Sequence, residues 1–429
     1  MIYKSLFHWG ARLRNPSLLP QLKALITSQN WSRTQLEDFQ QERLRELLIW
    51  AQRAPYYQKL FTDLQLDPER KWDPGDFQKL PILDKATLLD QNEAIHTQYP
   101  WPKLFFCETS GSTGQVLTFR RNERWDSFNR ASIWRGYQWH GVQPWNRNLY
   151  FWGYNFGSRK RLKTRILDAA QNRFRLFDYR PETLRAVLPR LKQVVYIHGY
   201  SSMIYELARL VLDQVGPLEL PKLKMIKGTS EKIFPHYQET IRQAFGRNMI
   251  SEYGAAESGI IAFECASGNM HLNMEGCLVE EVDHEILVTN LLSHSFPIIR
   301  YRLGDTIRLG DPKYTCPCGL AHPILEEVTG RIGKNLIGKT GHYPSLTLYY
   351  IFKNLFFEKG LKLNYQAHQY QKGQLVYRLT NALSPDLERQ IRLESGKYFG
   401  VDMDLVFEQV ETLQTYQGKL KDFISHIEA

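Results

Sequence analysis

Between residues 148 and 251, short strand-like runs alternate with longer segments of helical periodicity, and this alternation constrains the fold more than any other feature. The runs lie at 148–152, 194–198, 222–227 and 248–251, and the helix-like segments between them at 181–193, 202–215 and 234–245. Strands interleaved with helices of this length indicate α/β architecture, with active-site loops at the C-terminal ends of strands. Upstream, residues 34–62 carry Leu36, Phe39, Leu44, Leu47, Leu48 and Ala51 on a helical face. From about residue 270 to 310 the pattern turns to β, with runs at 277–282, 284–289 and 297–301. After Arg331 come helix-like segments at 345–358 and 386–399 and strand-like ones at 374–380 and 404–410. A chain of 429 residues exceeds what one hydrophobic core supports. The expectation is therefore a large α/β N-terminal domain over 1–331, with a β-rich segment at about 260–325, and a small α+β C-terminal domain over 332–429.

Within this frame, Thr109-Ser110-Gly111-Ser112-Thr113-Gly114 suits neither core, helix nor strand. Small residues let the backbone approach a ligand, and successive N–H and O–H groups form a nest for an anion such as a triphosphate. The run 102–107 reads as a strand entering that turn, and no lysine follows in Walker spacing, so it is not a P-loop. Further motifs follow in order: Gly228-Thr229-Ser230-Glu231, Tyr253-Gly254-Ala255-Ala256-Glu257, Tyr301-Arg302-Leu303-Gly304-Asp305, Gly330-Arg331 and Gln417-Gly418-Lys419. Ahead of them stand Ala54-Pro55-Tyr56-Tyr57 and Leu80-Pro81-Ile82-Leu83-Asp84-Lys85.

In this order the motifs resemble the adenylate-forming (ANL) superfamily, within it the phenylacetate–coenzyme A ligase branch and its CapK-like relatives, over almost the whole chain. The resemblance implies ATP-dependent activation of a carboxylic acid as an acyl-adenylate and transfer to a thiol such as coenzyme A. It implies that Ser110, Gly111, Ser112, Thr113 and Gly114 hold the β- and γ-phosphates, and that Glu257 binds Mg²⁺, a hard cation suited to carboxylate oxygen. Asp305 would bind the ribose hydroxyls, Tyr253 and Gly254 would line the adenine slot opposite Gly228, Thr229 and Ser230, and Arg331 would contact the nucleotide at the hinge. Lys419 would reach the α-phosphate and the attacking carboxylate, delivered by a mobile C-terminal domain that pivots at Gly333 and then admits the thiol. Two positions depart from the pattern: Ala256 replaces a threonine, and Gly333-Lys334 replaces a pair of aspartates. Losing one preorganised donor costs about 10²–10³ in rate.

The five cysteines are an odd number, which argues against a disulfide framework. Cys265 precedes His271 by six residues, and Cys316-Pro317-Cys318-Gly319 is a tight C-x-C turn. Two such pairs have the form of a structural Cys₃His zinc site, with no open position for catalysis. Cys107 and Cys277 read as ordinary thiols.

Hydrophobic residues make up 43% and charged ones 23%, ordinary for a soluble globular protein. No apolar run reaches the roughly 18 residues needed to cross a bilayer. The start, Ile2 to Trp9, lacks a signal peptide's apolar stretch, so a cytoplasmic setting with access to ATP is expected. The formal charge is +10, with basic residues crowded at 159–165 and at Arg12 and Arg14. No nucleic-acid-binding signature accompanies them. Coenzyme A, ATP, acidic carrier proteins and anionic membrane surfaces would all be drawn by the same field, and a solvated basic helix face accounts for 158–175. A homodimer is compatible with this reading. Three functions stay open: acid–thiol ligase; adenylate-forming enzyme transferring to an amine or sugar in polysaccharide biosynthesis; and a nucleotide-binding homologue impaired in catalysis, motivated by Ala256 and Lys334.

Overall fold

The computed structural model describes residues 2–70, 72–109, 116–151, 158–176, 181–230, 233, 235–329, 335–361, 363–416, 419–420 and 423–427. The chain opens with helices α1 (Ile2–Arg14), α2 (Leu18–Ser28), α3 (Arg33–Ala51) and α4 (Pro55–Asp63). The periodic stretch 34–62 is thus two helices. A capping box of Ser32 and Gln35 starts α3, and Pro55, which lacks an N–H, stands at the first position of α4. Short helices α5 (Pro74–Gln78), α6 (Lys85–Asp90) and α7 (Asn92–Ile95) lead to the ribbon β1 (Leu104–Glu108) and β2 (Thr118–Asn122). The long helix α8 (Glu123–Trp139) follows.

The parallel part comprises β3 (Asn148–Phe151), α9 (Ser158–Ala170), β4 (Arg173–Leu176), α10 (Pro181–Arg185), β5 (Tyr196–Tyr200), α11 (Ser201–Gln214), β6 (Met225–Thr229) and α12 (Pro235–Phe245). The stretch 181–193 is not one helix: α10 ends at Arg185, and a 3₁₀ segment, Leu188–Gln193, carries Pro189, which cannot donate into an α-helical ladder. Strand β7 (Met249–Ala255) pairs in parallel with β6 on one side and antiparallel with β8 (Gly259–Glu264) on the other. Through β7 the sheet continues into β9 (Met270–Leu272), β10 (Cys277–Val282), β11 (Glu285–Asn290), β12 (Tyr301–Leu309) and β13 (Ile324–Thr329). The β-rich segment is therefore continuous with the α/β part, in one eleven-stranded sheet ordered β10-β11-β12-β13-β9-β8-β7-β6-β5-β3-β4. The expected strand at 297–301 begins only at Tyr301, because Arg300 sits at φ 49° and cannot extend the pleat.

The two largest apolar cores among the described residues pack on this sheet. Helices α3 and α4 bury Leu44, Leu47, Leu48 and Tyr57 with Val288 and Ile298 from the antiparallel part. Helices α11 and α12 bury Ile204, Leu207 and Ile241 with Leu149, Ile197 and Ile226 from the parallel part. A third core, with Leu348, Ile351, Tyr377 and Ile391, belongs to the C-terminal segment. That segment contains β14 (Asn335–Ile337), β15 (His342–Pro344), α13 (Leu346–Lys359), β16 (Tyr365–Gln369), β17 (Gln374–Leu379), α14 (Pro385–Phe399), β18 (Asp404–Gln409), β19 (Thr415–Tyr416), β20 (Lys419–Leu420) and β21 (Phe423–Ser425). It carries its own four-stranded sheet, β18-β17-β16-β21. Helix α13 seats it against the large sheet: the Tyr350 and Tyr200 hydroxyls lie 2.7 Å apart, and Lys353 pairs with Glu108 at the end of β1.

Candidate nucleotide site and Cys/His cluster

Strands β6, β7 and β12 bring three of the sequence motifs together. Gly228 pairs with Ser251 across β6 and β7, which sets Gly228-Thr229-Ser230 beside Tyr253-Gly254. The Tyr253 hydroxyl donates to Asp305 Oδ2 at 2.7 Å, tying β7 to β12 across 52 positions of sequence. Gly254 sits at a bulge where a Cβ would come within 2.3 Å of the Gly259 carbonyl oxygen, so only glycine fits. Ser230 has φ 67° and turns the chain out of β6. Glu257, in the turn after β7, is buried; Tyr301 donates to its Oε1 at 3.4 Å and Asn290 to its backbone oxygen at 2.8 Å. Ala256, where a hydroxyl was expected, packs against the apolar core formed with α3 and α4. The Leu80–Lys85 stretch also reaches this place, since Leu83 forms a bridge to Tyr301, the first residue of β12.

Other expected residues lie elsewhere. Ser110, Gly111, Ser112, Thr113, Gly114 and Arg331, like the Gly333-Lys334 departure, fall outside the described residues. They follow or precede β1, β13 and β14 in sequence. Lys419 begins β20 and pairs with Tyr416 in the hairpin β19–β20 of the C-terminal segment.

A set of buried polar groups that the motifs did not announce lines the parallel strands. A parallel sheet covered on both faces ordinarily reads apolar throughout, yet Lys227 Nζ lies 2.7 Å from Glu252 Oε2 with both side chains almost wholly buried. Glu252 also accepts from Thr229 Oγ1 at 3.1 Å, which holds the Gly-Thr-Ser segment in place. Next to it His198 stacks on Tyr150 with centroids 4.4 Å apart and contacts the Tyr137 hydroxyl through Nδ1 at 3.2 Å. Burial, and then the charges of Arg173 and Lys227, pull the His198 pKa well below its ordinary value, so its imidazole is neutral at neutral pH. Lys227 and Glu252 each stand directly before a recognised motif, in a run otherwise apolar or small, and that was the available signal.

At the other end of the antiparallel part, Cys265, His271, Cys316 and Cys318 converge, their ligand atoms all within 4.8 Å of one another. Cys265 opens the turn between β8 and β9, where the Gly268 N–H donates to its carbonyl at 3.0 Å. His271 is fixed in β9 between Phe263 of β8 and Ile324 of β13. Cys316 and Cys318 lie in a turn closed by the Gly319 N–H on the Cys316 carbonyl at 3.0 Å, with Pro317 second and Gly319 at φ +83°. His271 Nδ1 donates to the His322 carbonyl at 3.0 Å, leaving Nε2 facing Cys318 Sγ at 3.2 Å. The Cys265 and Cys316 sulfurs are 3.8 Å apart, and Asn269 donates to Cys316 Sγ at 3.3 Å. Cys107 and Cys277 are buried elsewhere; burial pushes the Cys277 thiol up to about 12.

No family model matches the sequence. Two solved structures of 2-hydroxyisobutyryl-CoA ligase superpose over 92% of this chain and 91% of theirs at 16% identity. Their TM-scores are 0.57 for the postadenylation state with an acyl-AMP and 0.59 for the thioesterification state with acyl-AMP and CoA. The chain has the fold of the adenylate-forming (ANL) superfamily. In the ANL arrangement, a large N-terminal portion is followed by a small C-terminal one, as here. In sequence the chain is similar to protein CapK of Staphylococcus aureus, 22% identical over 286 residues, which is 64% of this chain and 63% of CapK. It is also similar to indoleacetate–lysine synthetase of Pseudomonas savastanoi, 29% identical over 181 residues, which is 39% of this chain and 42% of the synthetase. The matched region thus spans less than two thirds of either relative. Among the described residues of this ANL fold no helix is long and apolar enough to cross a membrane.

Proposed function

We propose that the protein is an AMP-forming acid–thiol ligase. A carboxylate oxygen of the substrate acid attacks the α-phosphorus of ATP, pyrophosphate leaves, and a mixed acyl-adenylate anhydride remains. A thiol sulfur, as in coenzyme A, then attacks the acyl carbonyl carbon, loses its proton and expels AMP. The observation that carries this reading is the junction of Tyr253 on β7 with Asp305 on β12, beside Thr229 and Glu257, between strands that are not neighbours in the sheet. It sets an aromatic ring and a carboxylate where a nucleoside is gripped by stacking and by its ribose hydroxyls. Glu257 is a buried hard-oxygen donor suited to Mg²⁺, whose charge would offset that of the phosphates. Ser110 to Gly114 would bind the β- and γ-phosphates, Arg331 would meet the nucleotide at the junction of an N-terminal domain (1–331) with a C-terminal lid (332–429), and Lys419 would neutralise charge in the first transition state.

The Cys₃His cluster reads as a structural zinc site. Its 3.8 Å sulfur–sulfur spacing matches the tetrahedron edge of ~3.8 Å that Zn–S bonds of about 2.3 Å generate. The hydrogen bond from His271 to the His322 carbonyl selects the ring tautomer whose Nε2 ligates.

A second acceptor is favoured by one finding: a relative of the chain is named as an indoleacetate–lysine synthetase. On that reading the acyl group passes to an amine, including one borne by a sugar in polysaccharide assembly. The deciding experiment is ATP–pyrophosphate exchange across a panel of carboxylic acids, in the cytoplasm-like reducing conditions that suit free thiols, followed by trapping with coenzyme A, carrier protein or amines. Acid-dependent exchange followed by thioester formation is the expected result. Exchange followed by amide formation alone would move the protein to the second reading, and no exchange with any acid would leave a nucleotide-binding homologue.

A further inference from the structure

Helix α1 carries its large apolar residues on the outside. Ile2, Leu6, Trp9 and Leu13 are 68%, 43%, 66% and 61% exposed. Their spacing of four, three and four residues sets them within roughly 60° of the helix circumference. The helix is held by its opposite side: the Phe7 ring packs 4.8 Å from that of Trp134, and Arg14 pairs with the buried Asp126 at 2.6 Å. A helix anchored this way ordinarily shows polar residues to solvent, so the apolar stripe needs a partner.

Two neighbours extend it. Helix α9 contacts α1 and exposes Leu162 and Ile166, one turn apart. Strand β1 adjoins the C-terminal end of α1, where Lys103 Nζ donates to the Leu13 and Arg14 carbonyls at 3.0 and 2.6 Å, and it exposes Leu104 and Phe106. The described flank of the stripe is basic. Arg12 of α1 and Lys163 and Arg165 of α9 are exposed, while Lys4 lies on the anchored side with its Nζ over Trp145. Helix α1 has no acidic residue, and the only one in α9, Asp168, is buried and tied to Arg175 at 2.8 Å.

We propose that this face docks on an anionic membrane surface, its apolar stripe entering the interface and its rim meeting lipid phosphates. An apolar helix face with aromatic and aliphatic residues, flanked by Lys and Arg, is the chemistry that lies in such an interface. A second copy of the chain fits less well, because an isologous contact would set this basic rim against itself. The proposal does not depend on the adenylation reading, and its test needs no substrate.

The full chain is sedimented with vesicles of phosphatidylcholine alone and with vesicles containing about 30% phosphatidylglycerol, at low and at high salt. It binds the anionic vesicles only, and less at high salt. The double variant Leu6→Ser/Trp9→Ser and, separately, Arg12→Glu each weaken binding at least about tenfold, with the parent's melting temperature retained. Leu393→Ser, an exposed leucine of α14, leaves binding unchanged. No sedimentation with anionic vesicles, or equal binding by the double variant, overturns the proposal. So does a dimer in sedimentation velocity that the double variant dissociates while no vesicle is bound, which would make this face a contact between copies.

Discussion

The Cys/His cluster and the proposed nucleotide site on β6, β7 and β12 share one sheet but are built in different ways. All four cluster ligands come from two tight turns and one short strand within β8 to β13, each closed by backbone hydrogen bonds. The proposed nucleotide side joins β6, β7 and β12 and, on that proposal, would also call on Ser110–Gly114, Arg331 and the separate two-stranded hairpin β19–β20 that carries Lys419. Four protein ligands close a metal site, and local rigid geometry suits it. A site proposed to admit ATP and release AMP is better completed by an element outside the sheet's ladders, such as the hairpin β19–β20, since this can part from β6, β7 and β12 at low cost.

The sharpest way to break this contrast is Lys419→Ala. Removing the lysine from the hairpin β19–β20 should lower acid-dependent ATP–pyrophosphate exchange by about 10³-fold, or about 4 kcal/mol, with ATP affinity retained. Exchange at the parent rate would mean that the C-terminal segment takes no part in the first half-reaction. Next in size is Cys316→Ser. About one zinc per chain should be lost on metal analysis, and the melting temperature should fall by about 5–10 °C. Cys107→Ser should leave the metal in place. A parent protein with well under one zinc per chain, and cluster thiols that label readily, would remove the metal side of the comparison.

Glu257→Gln should slow the first half-reaction by roughly 10–10²-fold and raise the Mg²⁺ concentration needed for half-maximal exchange. An unchanged Mg²⁺ titration would reduce Glu257 to a partner of Tyr301. Smallest is Tyr253→Phe, which keeps the ring and deletes only the hydrogen bond to Asp305. About 1 kcal/mol is at stake, seen as a roughly fivefold rise in KM for ATP. A drop in melting temperature with an unchanged KM would instead make the bond a brace of the sheet.

Much of this was legible in the sequence, because it is local. The alternation of runs between 148 and 251 is a periodicity that each segment expresses for itself, and it appears as β3 to β7 with their helices. The helix-like segments at 345–358 and 386–399 appear as α13 (Leu346–Lys359) and α14 (Pro385–Phe399), the latter capped by the Ser384 hydroxyl, which accepts from the Leu387 N–H. The two Cys-bearing pairs were likewise visible as short spacings. Other features were not. Nothing near Arg300 announces the left-handed backbone that delays β12, nor that Leu83 would bridge to Tyr301. Short strands such as β4 and β9 carry too few residues to display a period, and they exist because neighbours on both sides or along one edge hydrogen-bond to them.

Residue types and spacing therefore determined the α/β order, the motif set and the four candidate metal ligands, since each depends on contacts within a few residues. Tertiary structure alone decided that β7 joins the parallel and antiparallel parts into one sheet, that Tyr253 meets Asp305, and that Lys227 and Glu252 pair beneath Thr229. It also decided that the apolar face of α1 stays outside, because which side of a helix finds a partner depends on what the rest of the chain sets against it.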